Sequence, residues 1–335
     1  MPTTATAPAT ATTRATARSS NTRASAGIST PTARSTPSSV MPRRRHRITV
    51  AAAGTLLAAV TPIPATAAPK APADKVSTVT YTAAERREAL AYWTPARIKA
   101  VGKSVDLGPT GPKSQPWRGA TMKTVGRLFF VNADGADSWC TATAVRSANR
   151  SVVMTAGHCV RRPASPFNTH VDLVFVPGYH KGAQPYGAFP VRAALAPRTW
   201  AEDGVNDVAA LAVDADAKGR RLTDVVGGQA VAFRRPVGGR TVAFGYPATR
   251  PQRGEELLQC TGTTVRAPGD EQSVPCDLGG GASGGPWLTD LDAATGQGVL
   301  VSVNSHGNGL SDSTHMYGPM LGDVAEQVYK RAERG

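Results

Sequence analysis

No stretch of this chain is apolar for long enough to cross a membrane. The run Ile48 to Val60 has 13 residues, where a spanning helix needs about 20. No two of the four cysteines stand in C-x-x-C spacing, which argues against structural zinc and thioredoxin-like chemistry. Charged residues are scarce, at 19%, while 34 glycines and 26 prolines are spread over 335 residues. That balance favours a loop-rich β protein over a helical one. Residues 1–67 lack acidic side chains altogether and hold eight of the 38 basic ones. The formal charge of +14 is therefore misleading: outside that segment 30 basic residues face 24 acidic ones, or +6. A basic tail first suggests nucleic acid. No Lys/Arg cluster interleaved with aromatics follows, so nucleic acid is not an expected partner.

Residues 1–40 are almost wholly Thr, Ala, Ser, Pro and Arg. Such a composition cannot bury a core and is expected to be disordered. At Met41 the character changes. Arg43-Arg44-Arg45-His46-Arg47 is a positive region, the apolar run follows, and Pro62 to Ala68 breaks the helix and offers an A-x-A cleavage site. This is the layout of a secretory signal peptide over 41–67. Signal peptides begin a chain, so Met41 is the expected start and 1–40 a start-site artefact. The product is expected to be secreted and extracellular, without stable membrane association once the signal is removed.

Residues 83–102 read as helix, with a fresh start at Thr94-Pro95, where Thr is an N-cap and Pro takes the first position. Residues 103–120 are Gly, Pro and polar. Together, 68–120 suit a propeptide or an N-terminal extension with a linker. From Thr124 the pattern turns to β. Strand candidates are 127–132, 141–146, 151–155, 171–176, 189–195, 208–213, 241–244, 257–265, 299–304 and 316–321. They are short, rich in Val and Ala, and separated by Gly, Pro and Asp turns. Strands in such number with no helices between them indicate a sandwich or barrel, not a parallel βαβ sheet. Asp323-Val324-Ala325-Glu326 has the form of a capping box, with Val328 and Tyr329 on one face, so the chain is expected to close in a helix.

The cysteines group locally, Cys140 with Cys159 and Cys260 with Cys276. In an exported protein these read as two disulfides closing short loops, each contributing about 3 kcal/mol by loop-closure entropy. In a cytosolic chain the same four would be buried free thiols, a reading the export signal argues against.

Cys276-Asp277-Leu278-Gly279-Gly280-Gly281-Ala282-Ser283-Gly284-Gly285-Pro286-Trp287 surrounds one serine with glycines. Glycine permits positive φ and close backbone approach. A loop needs both to aim several N–H groups at one point and expose a hydroxyl there, and such a point suits an oxyanion. A base and an orienting carboxylate must come from elsewhere. Thr155-Ala156-Gly157-His158-Cys159 puts a histidine at a strand end, next to a cysteine that can bridge to Cys140. Imidazole is well suited to take a proton near neutral pH. His170, His180, His306 and His315 have no comparable local constraint. Asn206-Asp207-Val208-Ala209-Ala210-Leu211 places a carboxylate at the start of an apolar strand, where a buried charge needs a partner. Holding an imidazole in one tautomer is a suitable use. Asp203, the nearby competitor, lies in a polar, Gly-containing turn.

With His158, Asp207 and Ser283 in this order, the chain resembles the chymotrypsin/trypsin-like serine proteases. The resemblance rests on Thr155 to Cys159, Asp207 to Leu211 and Gly281 to Pro286, and it covers about residues 124–334, with a protease domain expected over 121–335. It implies an all-β fold of two packed six-stranded antiparallel barrels, the triad in the cleft between them. It also implies a serine endopeptidase, a monomer acting on polypeptides through an acyl-enzyme with neither metal nor organic cofactor. Gly281 and Ser283 would supply the oxyanion-hole N–H groups. Ser305, in Asn304-Ser305-His306-Gly307, looks like the serine of the substrate-binding strand, with His306 a further binding candidate.

The chain departs from the family at two points. The residue before the nucleophile is usually Asp, which pairs with a newly cut N-terminus; here it is Ala282, and no Ile-Val-Gly-Gly segment follows a basic cleavage site. Activation by that salt bridge is therefore not expected. Cys276 lies seven residues before Ser283, which looks closer to the V8-like (glutamyl endopeptidase) branch. The Arg/Ala-rich extension and the helix at Trp93-Thr94-Pro95 also resemble secreted actinobacterial peptidases. For specificity, Asp277 falls six residues before the nucleophile, where trypsin carries its pocket-floor carboxylate; that predicts cleavage after Arg or Lys. A structural loop aspartate is the equal alternative. The V8-like branch reads glutamate with a histidine where this chain has Asn304, so glutamate specificity does not follow.

Gly281-Ala282-Ser283-Gly284-Gly285 also fits G-x-S-x-G, the esterase elbow. That fold needs its acid and histidine after the serine, and only 52 residues follow Ser283. A catalytically silent binding module on a protease-like scaffold is the remaining alternative; an intact triad argues against it.

Overall fold

Short Val- and Ala-rich runs pack well on a pleated surface, and the Gly, Pro and Asp between them reverse the chain. The computed structural model describes residues 74–103, 105–164, 169–309 and 313–335. The low-complexity and signal-peptide assignments over 1–67 lie outside them.

The described chain begins with β1 (Val76–Thr80), α1 (Ala83–Tyr92), α2 (Pro95–Ala100) and a two-residue strand β2 (Gln115–Pro116). There follow β3 (Val125–Val131), β4 (Asp137–Val145), β5 (Val152–Thr155), β6 (Val171–Pro177), β7 (Phe189–Pro197), α3 (Arg198–Asp203) and β8 (Ala209–Val213). After α4 (Leu222–Val226) come β9 (Ala230–Val231), β10 (Arg240–Gly245), β11 (Leu258–Thr263), β12 (Val265–Ala267) and β13 (Glu271–Pro275). The last elements are β14 (Pro286–Asp292), β15 (Gln297–Val303), β16 (His306–Gly307), β17 (His315–Pro319) and α5 (Asp323–Ala332).

Strands β7, β6, β3, β4, β5 and β8 form one antiparallel sheet that closes on itself, because β7 also pairs with β8. The second half is built from two sheets, β2-β11-β10-β14-β15-β9 and β12-β13-β17-β16. They meet through β11 against β13 and β15 against β17, around a core that includes Leu258, Val274, Trp287 and Met316. The disulfides Cys140–Cys159 and Cys260–Cys276 both form. The fold is thus the expected β architecture with a C-terminal helix.

Some local expectations change. The helix at 83–102 is two helices, α1 and α2, broken at Trp93-Thr94. Thr94 caps α2 as expected, accepting from Arg97 N. The capping box lies at Thr82 and Glu85, not in the last helix. There Gly322 is the N-cap and has no side chain to accept a first-turn amide; Asp323 and Glu326 pair instead with Arg234. Short helices α3 and α4 interrupt the strands, and α3 carries a tryptophan that matters below.

The segment before β2 packs on the closed barrel. β1 pairs with the C-terminal half of β7, from Val76 opposite Pro197 to Thr80 opposite Ala193, on the edge that β6 leaves after Pro190. Ala89, Trp93, Ile98 and Val101 are buried, and Trp93 Nε1 donates to Asp172 O at 2.6 Å.

Among the described residues of the barrel one cation is wholly buried. Arg127 on β3 has 0% exposure, and its guanidinium stands 4.2 Å from the Trp139 ring centre and 4.7 Å from those of Phe129 and Tyr179. Nη1 donates to Gly254 O at 3.3 Å and lies 3.5 Å from Glu255 Oε1. Tyr179 OH donates to the same carboxylate at 2.9 Å. Burial pulls the Arg127 pKa down to about 10, against the aromatic hydroxyls and Glu255. Such a cation is tolerated only because rings and a counter-ion surround it.

Candidate active site

Strand β5 ends at Thr155, and residues Gly157 to Cys159 form a single tight turn. Two constraints aim it. The Cys140–Cys159 disulfide ties it to β4. Gly157 lies so close to Trp200 of α3 that an added Cβ would fall 2.7 Å from the indole. His158 is thereby presented with its Nδ1 at 2.7 Å from Asp207 Oδ2, while its backbone N donates to Asp207 Oδ1 at 2.8 Å.

Asp207 stands just before β8, after Asn206 in the left-handed region at φ +62°, a conformation Asn tolerates better than most residues. It is 6% exposed and accepts a third hydrogen bond, from Ser305 Oγ at 2.5 Å. Burial would raise its pKa, but the His158 charge and the hydrogen bonds from His158 and Ser305 outweigh it and hold it below the usual carboxylate range. Burial would likewise depress His158, but the Asp207 charge and hydrogen bond win, and its pKa is raised above the ordinary 6.5. With Nδ1 on the carboxylate, Nε2 is the ring nitrogen left to exchange a proton.

The serine loop is pressed against this turn. A Cβ on Gly284 would lie 2.0 Å from Thr155 Oγ1 and 2.8 Å from Ala156 N, so only glycine lets the backbones meet. Ser283 O accepts from Thr141 N at 2.8 Å. Asn304 wires the loop from behind: its Nδ2 donates to Phe244 O and Ala282 O, and its Oδ1 accepts from Trp287 Nε1. Of the amides from Gly281 to Gly285, those of Ala282, Gly284 and Gly285 donate to Gly279 O, Asn304 O and Ala282 O. The Gly281 and Ser283 amides have no protein acceptor among the described residues, and Gly281 holds φ +91°. Two unspent donors flanking a partly exposed serine suit an oxyanion.

A cavity of about 530 Å³ opens beside His158, lined by Trp200, Asp207, Glu271, Ser305 and His306 among others. His306 stacks on Tyr317, with ring centres 4.9 Å apart, and its Nε2 meets Glu271 at 3.1 Å. A larger cavity of about 870 Å³ lies between β10, β11 and β14, away from this constellation.

Of the residues predicted to bind substrate, the cavity gathers Ser305 and His306 but not Asp277. Both Asp277 oxygens accept backbone N–H groups, from Lys113 and Ser114 at 2.7 Å each, and Asp277 borders a separate hollow with residues 109–113. Its carboxylate is spent on an anchoring contact, the structural alternative to a pocket floor. Ala282 has 0% exposure among apolar neighbours, where an unpaired carboxylate would be costly.

Sequence reasoning missed five side chains. Thr141 donates from Oγ1 to Gly281 O at 2.9 Å and accepts from Tyr246 N at 2.9 Å; its place next to Cys140 was the available signal. Asn304 was noted only as a missing histidine. Glu271 and Trp200 carried no signal. His170, set aside as unconstrained, is buried, stacked on Phe130 and 3.1 Å through Nε2 from His158 O.

A profile of the trypsin family matches residues 109–318. Among solved structures, the protease Anisep from Arthrobacter nicotinovorans is similar at 37% identity and a TM-score of 0.60, covering 66% of this chain and 100% of that one. The thermostable serine protease AL20 from an extremophilic microorganism is similar at 33% and 0.58, covering 64% and 98%. A Glu endopeptidase at 18% and 0.53, covering 68% and 99%, shares the fold. None of the curated proteins matches this sequence.

Proposed function

The chain belongs to the trypsin family and is a serine endopeptidase, and from that premise we propose that His158, Asp207 and Ser283 are its catalytic triad. The observation that carries the assignment is the His158 imidazole clamped through Nδ1 on a buried Asp207, beside a loop with two unspent amides. Ser283 Oγ attacks a peptide carbonyl while His158 Nε2 takes its proton. Asp207 holds the ring in the right tautomer and stabilises the cation. The Gly281 and Ser283 amides receive the oxyanion. The leaving amine takes the proton from His158. Water, activated by the same imidazole, then hydrolyses the acyl-enzyme.

Polypeptides are the substrates. The finer reading is an enzyme secreted through a signal peptide at 41–67 and working as a monomer without metal or organic cofactor. Two disulfides support an extracellular setting, and no helix among the described residues is long and apolar enough to cross a membrane. Residues 68–120 are read as an N-terminal extension or propeptide. For Asp277 the favoured role is the anchor of the 109–114 segment.

A fluorophosphonate probe tests the site. It should bond covalently to Ser283, located by peptide mass spectrometry, and Ser283→Ala should lose the adduct and the proteolysis while unfolding at the same denaturant concentration. A folded protein that takes no label would instead be the silent binding module.

A further inference from the structure

Beside the triad lies a recess that the bond-breaking chemistry does not use. We propose that it is a subsite for a basic substrate side chain flanking the scissile bond, and that Glu271 selects that side chain. The inference rests on the triad assignment above, because the substrate must enter past His158.

The path of the substrate follows from the sheet. β16 is the outermost strand of its four-stranded sheet, pairing on one side with β17, His306 opposite Tyr317. It begins directly after Ser305, whose hydroxyl touches Asp207. An unpaired edge at the triad is where an extended peptide adds as a further strand, its backbone giving affinity and its alternate side chains entering pockets. A side chain on the face that His306 and Glu271 share meets the cavity of about 530 Å³.

Among the described residues no lysine or arginine lines that cavity, and two carboxylates do. Asp207 is buried and committed to His158 and Ser305. Glu271 keeps 25% of its side chain exposed, and among the described residues its carboxylate meets one side chain, His306. His306 is itself braced by stacking on Tyr317, so the carboxylate is held in place and still open to the cavity. The lining also has apolar side chains, Trp200 at 7% exposure and Val205 at 45%. Apolar surface and a fixed carboxylate in one cavity suit an aliphatic stem that ends in a cation. An acidic side chain would meet like charge there, and a small one would leave Val205 in water.

Peptides with one constant cleaved bond test this, each flanking position carrying in turn Arg, its neutral isostere citrulline, or Glu. The ratio of kcat/KM for Arg over citrulline is independent of how much enzyme is folded. It should be about five- to tenfold at one position on the β16 side and close to one elsewhere, with Glu disfavoured at that position. Glu271→Gln should bring the ratio to about one. The subsite is overturned if no position discriminates, or if Glu271→Gln leaves the ratio unchanged. Fluorophosphonate labelling on the same samples separates the two readings. A labelled enzyme without the preference loses the subsite alone; a folded protein that neither takes label nor cleaves any peptide overturns both.

Discussion

Thr141 Oγ1 donates to the carbonyl of Gly281 across the seam between the two halves, at 2.9 Å. The same oxygen accepts from Tyr246 N, and the Thr141 amide holds Ser283 O. One buried residue therefore holds the carbonyls of both Gly281 and Ser283, the two residues whose amides are the proposed oxyanion donors.

Removing that hydroxyl should act on the transition state more than on substrate binding. Thr141→Val is expected to lower kcat by roughly ten- to a hundredfold with KM within about twofold, less than loss of an oxyanion donor itself. It also leaves Tyr246 N and Gly281 O unpaired, at about 1–3 kcal/mol for a buried group. Thr141→Ser should restore kcat. Steady-state kinetics normalised by active-site titration decide it; a rise in KM alone would contradict the positioning role.

The pH profile follows from the His158–Asp207 pair. Since the Asp207 charge lifts the His158 pKa above 6.5, the acid limb of kcat/KM should have its midpoint above 6.5, activity rising as the ring loses its proton. In Asp207→Asn the charge is gone and burial pulls His158 down, so the limb should move to lower pH while kcat falls about 10⁴-fold. A limb unmoved by the substitution would refute the coupling.

Acid sensitivity has a second source in His170. Burial pushes its pKa down to about 4 from an ordinary 6.5, so the folded state favours the neutral ring while the unfolded chain protonates first. The stability it contributes is full above pH 6.5 and is lost as pH falls from there through about 4, roughly 3 kcal/mol over the whole interval. His170→Gln keeps a donor toward His158 O but does not titrate. Urea unfolding between pH 7 and 4 should show a shallower loss for this variant than for the parent, and parallel curves would count against the assignment.

Asp277 should act on the 109–114 segment and not on substrate choice. Asp277→Ala removes two charge-assisted hydrogen bonds, at about 2–3 kcal/mol together, and should speed proteolytic nicking between Leu107 and Lys113. Preference at the cleaved bond, profiled on a mixed peptide library by mass spectrometry, should be unchanged. A selective loss of cleavage after Arg and Lys would return Asp277 to the pocket floor.

The motif segments could be read from sequence because each is local. His158 beside Cys159, Asp207 before an apolar strand and Ser283 among glycines announce their surroundings within five or six residues, and short Val- and Ala-rich runs between turns mark the strands. What escaped reading is contact between distant positions. Thr141 meets Gly281 over 140 residues, Glu271 meets His306 over 35 and Asp277 meets Ser114 over 163. No periodicity encodes such pairs, and counting back from Ser283 to Asp277 assumed a loop path that the 109–114 segment overrides. The capping box was misplaced for a similar reason: Asp323 and Glu326 have the right spacing, but Arg234, far off in sequence, claims them both.

The buried Arg127 has a consequence for how the molecule assembles. Its cation belongs to the closed barrel, while Glu255 and the Gly254 carbonyl come from the connection between β10 and β11 in the other half. Before that connection arrives, the barrel interior contains an uncompensated charge, a state with several kcal/mol against it. Neither half is electrically complete alone. Charge neutrality therefore links the two into a single cooperative unit, and unfolding of one should carry the other with it.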